Sequence, residues 1–197
     1  MTSQDTYTGV TLTKLNDLPV AFDDVRRQLR LDDIAQDDDL IRLYVSALCE
    51  QVERLYSVAM LTQTVVETHS SFPINGNQEI VLSIRPGQTV SSIQYIDANG
   101  TTQTFSSSKY TSYANSKAFF VVPNVDYEWP IDTAIRPDAV RITYTAGYGT
   151  SPSTVPAAMR LAILNMVGKM DANREDMIQE KINASDILLL PFFQFRS

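Results

Sequence analysis

Few side chains in this 197-residue sequence could carry out chemistry, because it contains one cysteine, Cys49, and one histidine, His69. A zinc site needs several Cys or His ligands, and a nucleophilic dyad needs a base held against a Ser or Cys. Ser70 and Ser71 directly follow His69, but catalytic triads are recognised by spatial geometry rather than by adjacency in sequence. We interpret His69 as a solvated residue at a strand end and Cys49 as a small buried hydrophobe. A hydrolase that uses His69 stays as one alternative.

The remaining chemical motifs are also weak. Gly147-Tyr148-Gly149 lacks the third glycine and the Lys-Ser/Thr pair of a phosphate-binding loop, and it predicts a turn at the end of a strand. Carboxylates could pair for acid–base catalysis, but no spacing selects two of the 23 acids. The run Asp37-Asp38-Asp39 is typical of a helix start, whereas a metal site would need further converging ligands. The sequence therefore predicts no enzyme, no metal and no cofactor.

Charge and composition exclude further classes of protein. Sixteen basic and 23 acidic residues give a net charge of −7, which argues against a strong grip on nucleic acid phosphates. The acidic excess lies mainly in residues 1–58, with 11 acids and 6 bases. A hydrophobic content of 44% is ample for the packed core of one domain. Residues 1–10 lack the features of an export signal, and no apolar run approaches the ~20 residues of a membrane span. We expect a protein of a cytosol-like compartment with no membrane partner.

Helical periodicity appears at both ends of the chain. A short helix is predicted after Pro19, with Asp23 or Asp24 capping its start or complementing its dipole. A long amphipathic helix is predicted from about Asp38 to Val58, with apolar positions at Ile41, Tyr44, Val45, Leu48, Val52 and Leu55. A third helix is predicted from Pro156, with an apolar stripe at Met159, Ile163, Met166, Val167 and Met170.

Between these helices the pattern changes to that of short β-strands. Alternating Thr, Val, Ile, Tyr and Phe predict strands at 62–69, 80–84, 90–96, 101–105, 118–122 and 139–144. Asp97-Ala98-Asn99-Gly100 predicts the turn of a hairpin. The predicted fold is α+β: N-terminal helices over 19–58, a small antiparallel sheet or sandwich inserted over 61–149, a helix over 156–175 and an extended apolar tail. We expect one domain over residues 1–185 and a docking tail over 186–197.

The tail is the feature that most needs an explanation. It contains seven large apolar side chains: Ile187, Leu188, Leu189, Leu190, Phe192, Phe193 and Phe195. Burial of seven such groups would contribute on the order of 10–20 kcal/mol before the entropy of ordering is subtracted. If the tail were exposed it would promote aggregation, so it must pack on its own domain or on a partner. Composition alone does not separate these two alternatives.

The order of the sequence blocks resembles the head–tail connector (adaptor) family of tailed bacteriophages and phage-like gene transfer particles, from about Leu18 to Glu175. The segments that carry the resemblance are 23–31 with 38–41, 82–86, 90–100, 139–149, 155–156 with 162–163, and 173–175. These segments look like the family's opening helices, its central hairpin, the approach to its last helix and the end of that helix. The chain departs from the family in a long Ser/Thr/Tyr-rich loop over 101–115 and in its apolar tail.

The resemblance implies a non-enzymatic homo-oligomeric ring, commonly of twelve copies, in the neck of a virion assembled in the host cytoplasm. Such a ring lies under the portal protein, extends the DNA channel and contacts a stopper, tail-terminator or other tail protein. On this basis we predict that the seven tail residues bind the portal, or as second choice a neighbouring subunit. Asp37, Asp38 and Asp39 are predicted to face the lumen, where acidic groups let DNA pass without specific binding. Tyr110 and Tyr113 are predicted to contact the tail side.

One further alternative is a β-rich module that binds carbohydrate on a host surface. Its stacking platforms would be Trp129, Tyr127 and Tyr113. The helices at both ends of the chain argue against it, because such modules are usually all β.

Overall fold

The computed structural model describes residues 9–13, 18–31, 38–74, 78–115, 118–172 and 188–192. Contacts divide the chain into two compact units. The β unit comprises Met1–Lys14 and Thr62–Gly147, and the helical unit comprises Leu15–Leu61 and Tyr148–Ser197. The predicted α+β class, with a β region inserted between helices, is therefore confirmed.

The helical unit contains three helices: α1 (Phe22–Leu29), α2 (Asp38–Tyr56) and α3 (Ala157–Ala172). Both α1 and α2 pack against α3. Their shared core is formed by one apolar stripe from each helix, including Val25, Val45, Leu48, Val52, Met159 and Ile163. Cys49 lies in this core with 5% of its surface exposed, which confirms its predicted character.

Details at the helix ends differ from the prediction. Ala21 occupies the N-cap position of α1 and makes no side-chain capping bond, so Asp23 and Asp24 act only as charges in the first turn. The helix ends where Arg30 adopts a left-handed conformation with φ 53°.

In α2 the predicted apolar position Leu55 is 63% exposed, while Glu53 is buried and its Oε1 accepts the Met60 backbone N–H at 2.9 Å. The buried position near the end of α2 is therefore occupied by Glu53 rather than Leu55, and the Glu53 carboxylate holds the backbone just after the helix.

The β unit contains two antiparallel sheets. One has five strands in the order β1 (Gly9–Thr13), β2 (Gln63–His69), β8 (Val140–Ala146), β4 (Gly87–Ile96) and β5 (Thr102–Phe105). The other has three strands in the order β3 (Ile80–Leu82), β7 (Phe119–Pro123) and β6 (Tyr110–Ala114). The rings of Phe119 and Tyr144, one from each sheet, lie 6.0 Å apart, so the sheets pack as a small sandwich.

Register places apolar side chains inward along the central strands. In the five-stranded sheet Val65 lies opposite Tyr144, and Ile93 lies opposite Ile142, all four with exposure of 0%. The predicted hairpin is confirmed as β4–β5, closed by Asp97, whose Oδ1 accepts the backbone N–H of Asn99 and of Thr101 at 2.9 Å. Gly147 and Gly149 have positive φ after β8, which confirms the predicted turn. A Cβ at Gly149 would lie only 2.6 Å from Thr154 Oγ1.

Within the described residues, no helix is both long enough and apolar enough to cross a bilayer.

Candidate interaction surfaces and the buried polar cluster

The described part of the apolar tail is a short helical turn over residues 188–192. Leu189 is 1% exposed and belongs to the core of the helical unit, and Leu188 and Phe192 pack partly buried against the same core. Leu190 points outward with 61% of its surface exposed. Three tail residues thus have an apolar site in their own chain, and one leucine is free to contact another molecule.

The other predicted portal-binding residues, Ile187, Phe193 and Phe195, lie outside the described residues. Asp37, from the predicted lumen-facing cluster, also lies outside them. The portal-binding role of the tail therefore stays a prediction.

Asp38 and Asp39 occupy the first turn of α2. The Asp38 carboxylate forms a two-point ion pair with the Arg26 guanidinium, with Nη2–Oδ2 at 2.6 Å and Nε–Oδ1 at 3.2 Å. Arg26 offsets the Asp38 charge, and Asp39 is exposed. Of the two described acids, Asp39 is the one that presents its charge to solvent.

The predicted strand over 101–105 is confirmed, whereas the loop expected over the rest of 101–115 is wrong for most of its length. Residues 102–105 form β5, 107–109 form a 3-10 turn and 110–114 form β6. Tyr110 is 8% exposed, with its ring 6.2 Å from that of Phe105, so it offers no surface for a partner. Tyr113 is 39% exposed; its ring stacks on Phe120 at 5.0 Å and its hydroxyl donates to the Glu79 carboxylate.

The platform proposed for carbohydrate binding does not exist in the folded chain. Trp129 is 3% exposed and stacks on Phe72, with ring centroids 4.9 Å apart and planes 5° from parallel. Its indole N–H donates to the Gln78 carbonyl at 2.7 Å. Trp129 is therefore a core residue, and Tyr127 and Tyr113 are left without the central ring of that platform.

The β unit contains a buried polar cluster that the sequence did not predict, centred on Glu67 in β2. The Glu67 side chain is 0% exposed. Its Oε2 accepts from the Ser83 backbone N–H at 2.9 Å and from the Tyr144 hydroxyl at 3.1 Å. Its Oε1 accepts from the Ser83 hydroxyl at 2.9 Å and lies 3.3 Å from His69 Nε2. Tyr144 in turn accepts the Ile84 backbone N–H at 3.0 Å.

These contacts shift the titration of two groups. Burial raises the pKa of Glu67, but the adjacent His69 side chain and the hydrogen bonds from Ser83 outweigh burial, so the pKa of Glu67 is lowered overall. Burial is also the largest cause that raises the pKa of Tyr144, and the adjacent Glu67 charge adds to it. The cluster therefore holds an ionised carboxylate and a neutral phenol inside the sandwich.

The cluster is not arranged as a hydrolytic triad. In a hydrolytic triad the histidine lies between the acid and the nucleophile, whereas here Glu67 contacts both Ser83 and His69 directly. The His69 side chain is only 13% exposed, so the prediction of a solvated histidine is wrong, although its place at the end of β2 is confirmed. Nowhere in the described part of the chain do three or more His, Cys, Asp or Glu residues group as metal ligands.

No family model matches the sequence, and no curated protein matches it. Solved structures do match. A chain in the neck of an empty gene transfer agent particle, computed with C6 symmetry, superposes with a TM-score of 0.76 and 18% identity over 95% of this chain and 97% of the other. This chain therefore shares the fold of that chain.

Two further structures agree with this match. A chain of the native gene transfer agent virion gives a TM-score of 0.73 at 18% identity, covering 94% of this chain and 96% of the other. A chain of the native neck, computed with C12 symmetry, gives 0.68 at 17% identity, covering 95% and 97%. The match spans nearly the whole of both chains, so it confirms the fold implied by the resemblance to head–tail connectors.

Proposed function

We propose that this chain is a structural head–tail connector (adaptor) of a tailed phage or phage-like particle. It forms a ring, commonly of twelve copies, in the neck of the virion, under the portal. The ring extends the DNA channel and joins capsid to tail, with no enzymatic role. The observation that carries the proposal is the near full-length likeness to chains of a gene transfer agent neck, where 95% of this chain is covered. The order of connector-like motifs in the sequence supports it independently.

In this proposal the parts of the chain have separate roles. The apolar tail residues bind the portal, and Leu190 is the described tail residue that is already exposed. Asp39 and its neighbours Asp37 and Asp38 face the lumen, where DNA passes without specific binding. Tyr113 contacts a stopper, tail-terminator or other tail protein. Assembly takes place in the host cytoplasm.

The direct test is electron microscopy of the purified protein alone and mixed with its portal protein. We expect end-on views of a ring coaxial with the portal in the mixture, because the portal templates the closed arrangement of copies. A mixture in which portal particles carry no added ring density would contradict the proposal.

A second test concerns DNA passage. Rings incubated with double-stranded DNA at low salt should retain none of it in a gel-shift measurement, because an acidic wall repels phosphates. The Asp39→Lys variant is the matched comparison: it reverses one exposed charge per subunit and should introduce salt-dependent retention if this residue faces the lumen. Tight retention by the wild-type ring would refute an acidic conduit.

A further inference from the structure

The segment between β7 and β8 presents three large aliphatic side chains to solvent. Ile135, Val125 and Ile131 are 105%, 88% and 74% exposed. Exposed apolar groups scattered singly are ordinary, but three that are at least 74% exposed within one connection make it a candidate interaction site. We call residues 124–138 the apolar loop.

The apolar loop is held firmly at its start and its middle. Asn124 donates from its backbone N–H to the Lys109 carbonyl and from Nδ2 to the Ser108 carbonyl, both at 2.9 Å. Trp129 is anchored in the core by its stacking on Phe72 at 4.9 Å. These two attachments flank Val125, so its exposure does not come from a loose strand end.

The second half of the apolar loop is tied to β4. Asp97 and Thr133 form an isolated β-bridge, and the Ala134 backbone N–H donates to the Ile96 carbonyl at 2.8 Å. This attachment separates Ile131 from Ile135. The three exposed side chains therefore alternate with fixed points, and their presentation costs little conformational entropy when a partner binds.

Charge indicates what kind of partner fits. Asp126, Glu128 and Asp132 are exposed beside the apolar side chains. Arg136 is the loop's own cation, and it is engaged by Asp138 through Nε–Oδ1 at 2.5 Å and Nη2–Oδ2 at 2.8 Å. The loop thus carries exposed apolar side chains interleaved along the chain with three exposed carboxylates, and Lys109, whose Nζ lies 5.7 Å from the centre of the Tyr127 ring, is a further cation beside it.

We infer that the apolar loop docks into an apolar groove rimmed by lysine or arginine on a different protein. A second copy that met this loop through the same loop surface fits less well, because Asp126, Glu128 and Asp132 would then face their own like charges. Opposite charge at the rim would speed association and fix the register, while Val125, Ile131 and Ile135 supply the buried area. This inference does not depend on the connector function.

The test places a photo-crosslinking amino acid at position 135 of the full chain, in cells that make the protein together with its natural partners. We expect a crosslink to a different protein, mapped by mass spectrometry to a segment where apolar residues lie beside lysine or arginine. The same crosslinker at Val81, which is 53% exposed elsewhere in the β unit, is the matched control and should give no such product.

Charge variants test whether the acidic side chains of the apolar loop contribute to binding. In the crosslinking background, Asp126→Lys with Asp132→Lys should lower the yield by about tenfold or more, because the rim charges then repel. Neutral exchanges at the same two positions should give a smaller loss. Crosslinks only to other copies of this chain, crosslinks to an acidic surface, or a yield no higher than at Val81 would overturn the inference. Absence of the chain from purified particles, by contrast, would contradict the connector proposal alone.

Discussion

Leu189→Ala should lower the free energy of unfolding of the helical unit by about 2–5 kcal/mol, the range for buried leucine truncations. The side chain is 1% exposed in the core shared by the three helices, so its loss leaves a cavity that the surrounding residues fill only in part. Leu190→Ala is the matched control. Its side chain is 61% exposed, and the change should stay within about 0.5 kcal/mol. Chemical denaturation followed by helix ellipticity measures both variants.

The same pair of leucines separates the two roles considered for the tail. If the tail docks onto the portal through its exposed side, Leu190→Asp should weaken attachment to portal-bearing capsids while the protein stays folded. Leu189→Ala should affect attachment only as far as it unfolds the helical unit. Equal stability of the Leu189 and Leu190 variants would show that the segment does not pack as described. Normal attachment by Leu190→Asp would argue against portal contact through this turn.

Glu67→Ala should lower the free energy of unfolding of the β unit by several kcal/mol, because each buried donor left without an acceptor costs about 1–3 kcal/mol. The carboxylate accepts both donors of Ser83 and the hydroxyl of Tyr144. Without it the Ser83 N–H and the buried Tyr144 hydroxyl lose their acceptor. Glu67→Gln keeps one acceptor oxygen and should cost less. Glu128→Gln, at an exposed position, should be close to neutral in the same urea titration.

The lowered pKa of Glu67 also predicts how stability depends on pH. A carboxyl whose folded pKa lies below its unfolded value, near 4.5, contributes its full stabilisation above that value. The contribution is lost as the pH falls through the folded pKa. Between about pH 6 and pH 3 the wild type should therefore lose more free energy of unfolding than Glu67→Gln. If the free energies of unfolding of the two proteins fall in parallel with pH, the titration of Glu67 is not the cause of the pH dependence.

Much of the fold could be predicted because its central elements carry strong periodicity. The long helix, the C-terminal helix and the β4–β5 hairpin combine apolar stripes with clear start and turn residues. β1 and β6 were missed because both lie at sheet edges and are rich in small and polar residues, as in Tyr110–Ala114. An edge strand is paired on one side only, so its sequence is under weaker hydrophobic constraint.

The polar cluster around Glu67 shows why functional and polar sites are harder to predict from the sequence than helices and strands. Along β2 the inward positions are Gln63, Val65 and Glu67, so strand alternation does place Glu67 on the buried face. Its partners Ser83 and Tyr144 come from segments distant in sequence, and only the folded register brings them together. The predictions for Leu55 and Tyr110 are wrong because they rest on residue type and local pattern alone. Their types suggested a buried and an exposed side chain respectively, and tertiary packing reversed both.

The helical unit is built from two stretches of chain that the β unit separates, and this has a consequence during synthesis. Helices α1 and α2 emerge from the ribosome before β2, whereas α3, against which both pack, begins only at Ala157. At roughly 5–20 residues per second, α2 is exposed for about 5–20 s before α3 appears. The β unit can close in that interval, because its strands from β2 to β8 are complete by Ala146. Nascent chains of this protein therefore present the apolar stripe of α2 to chaperones until α3 is translated.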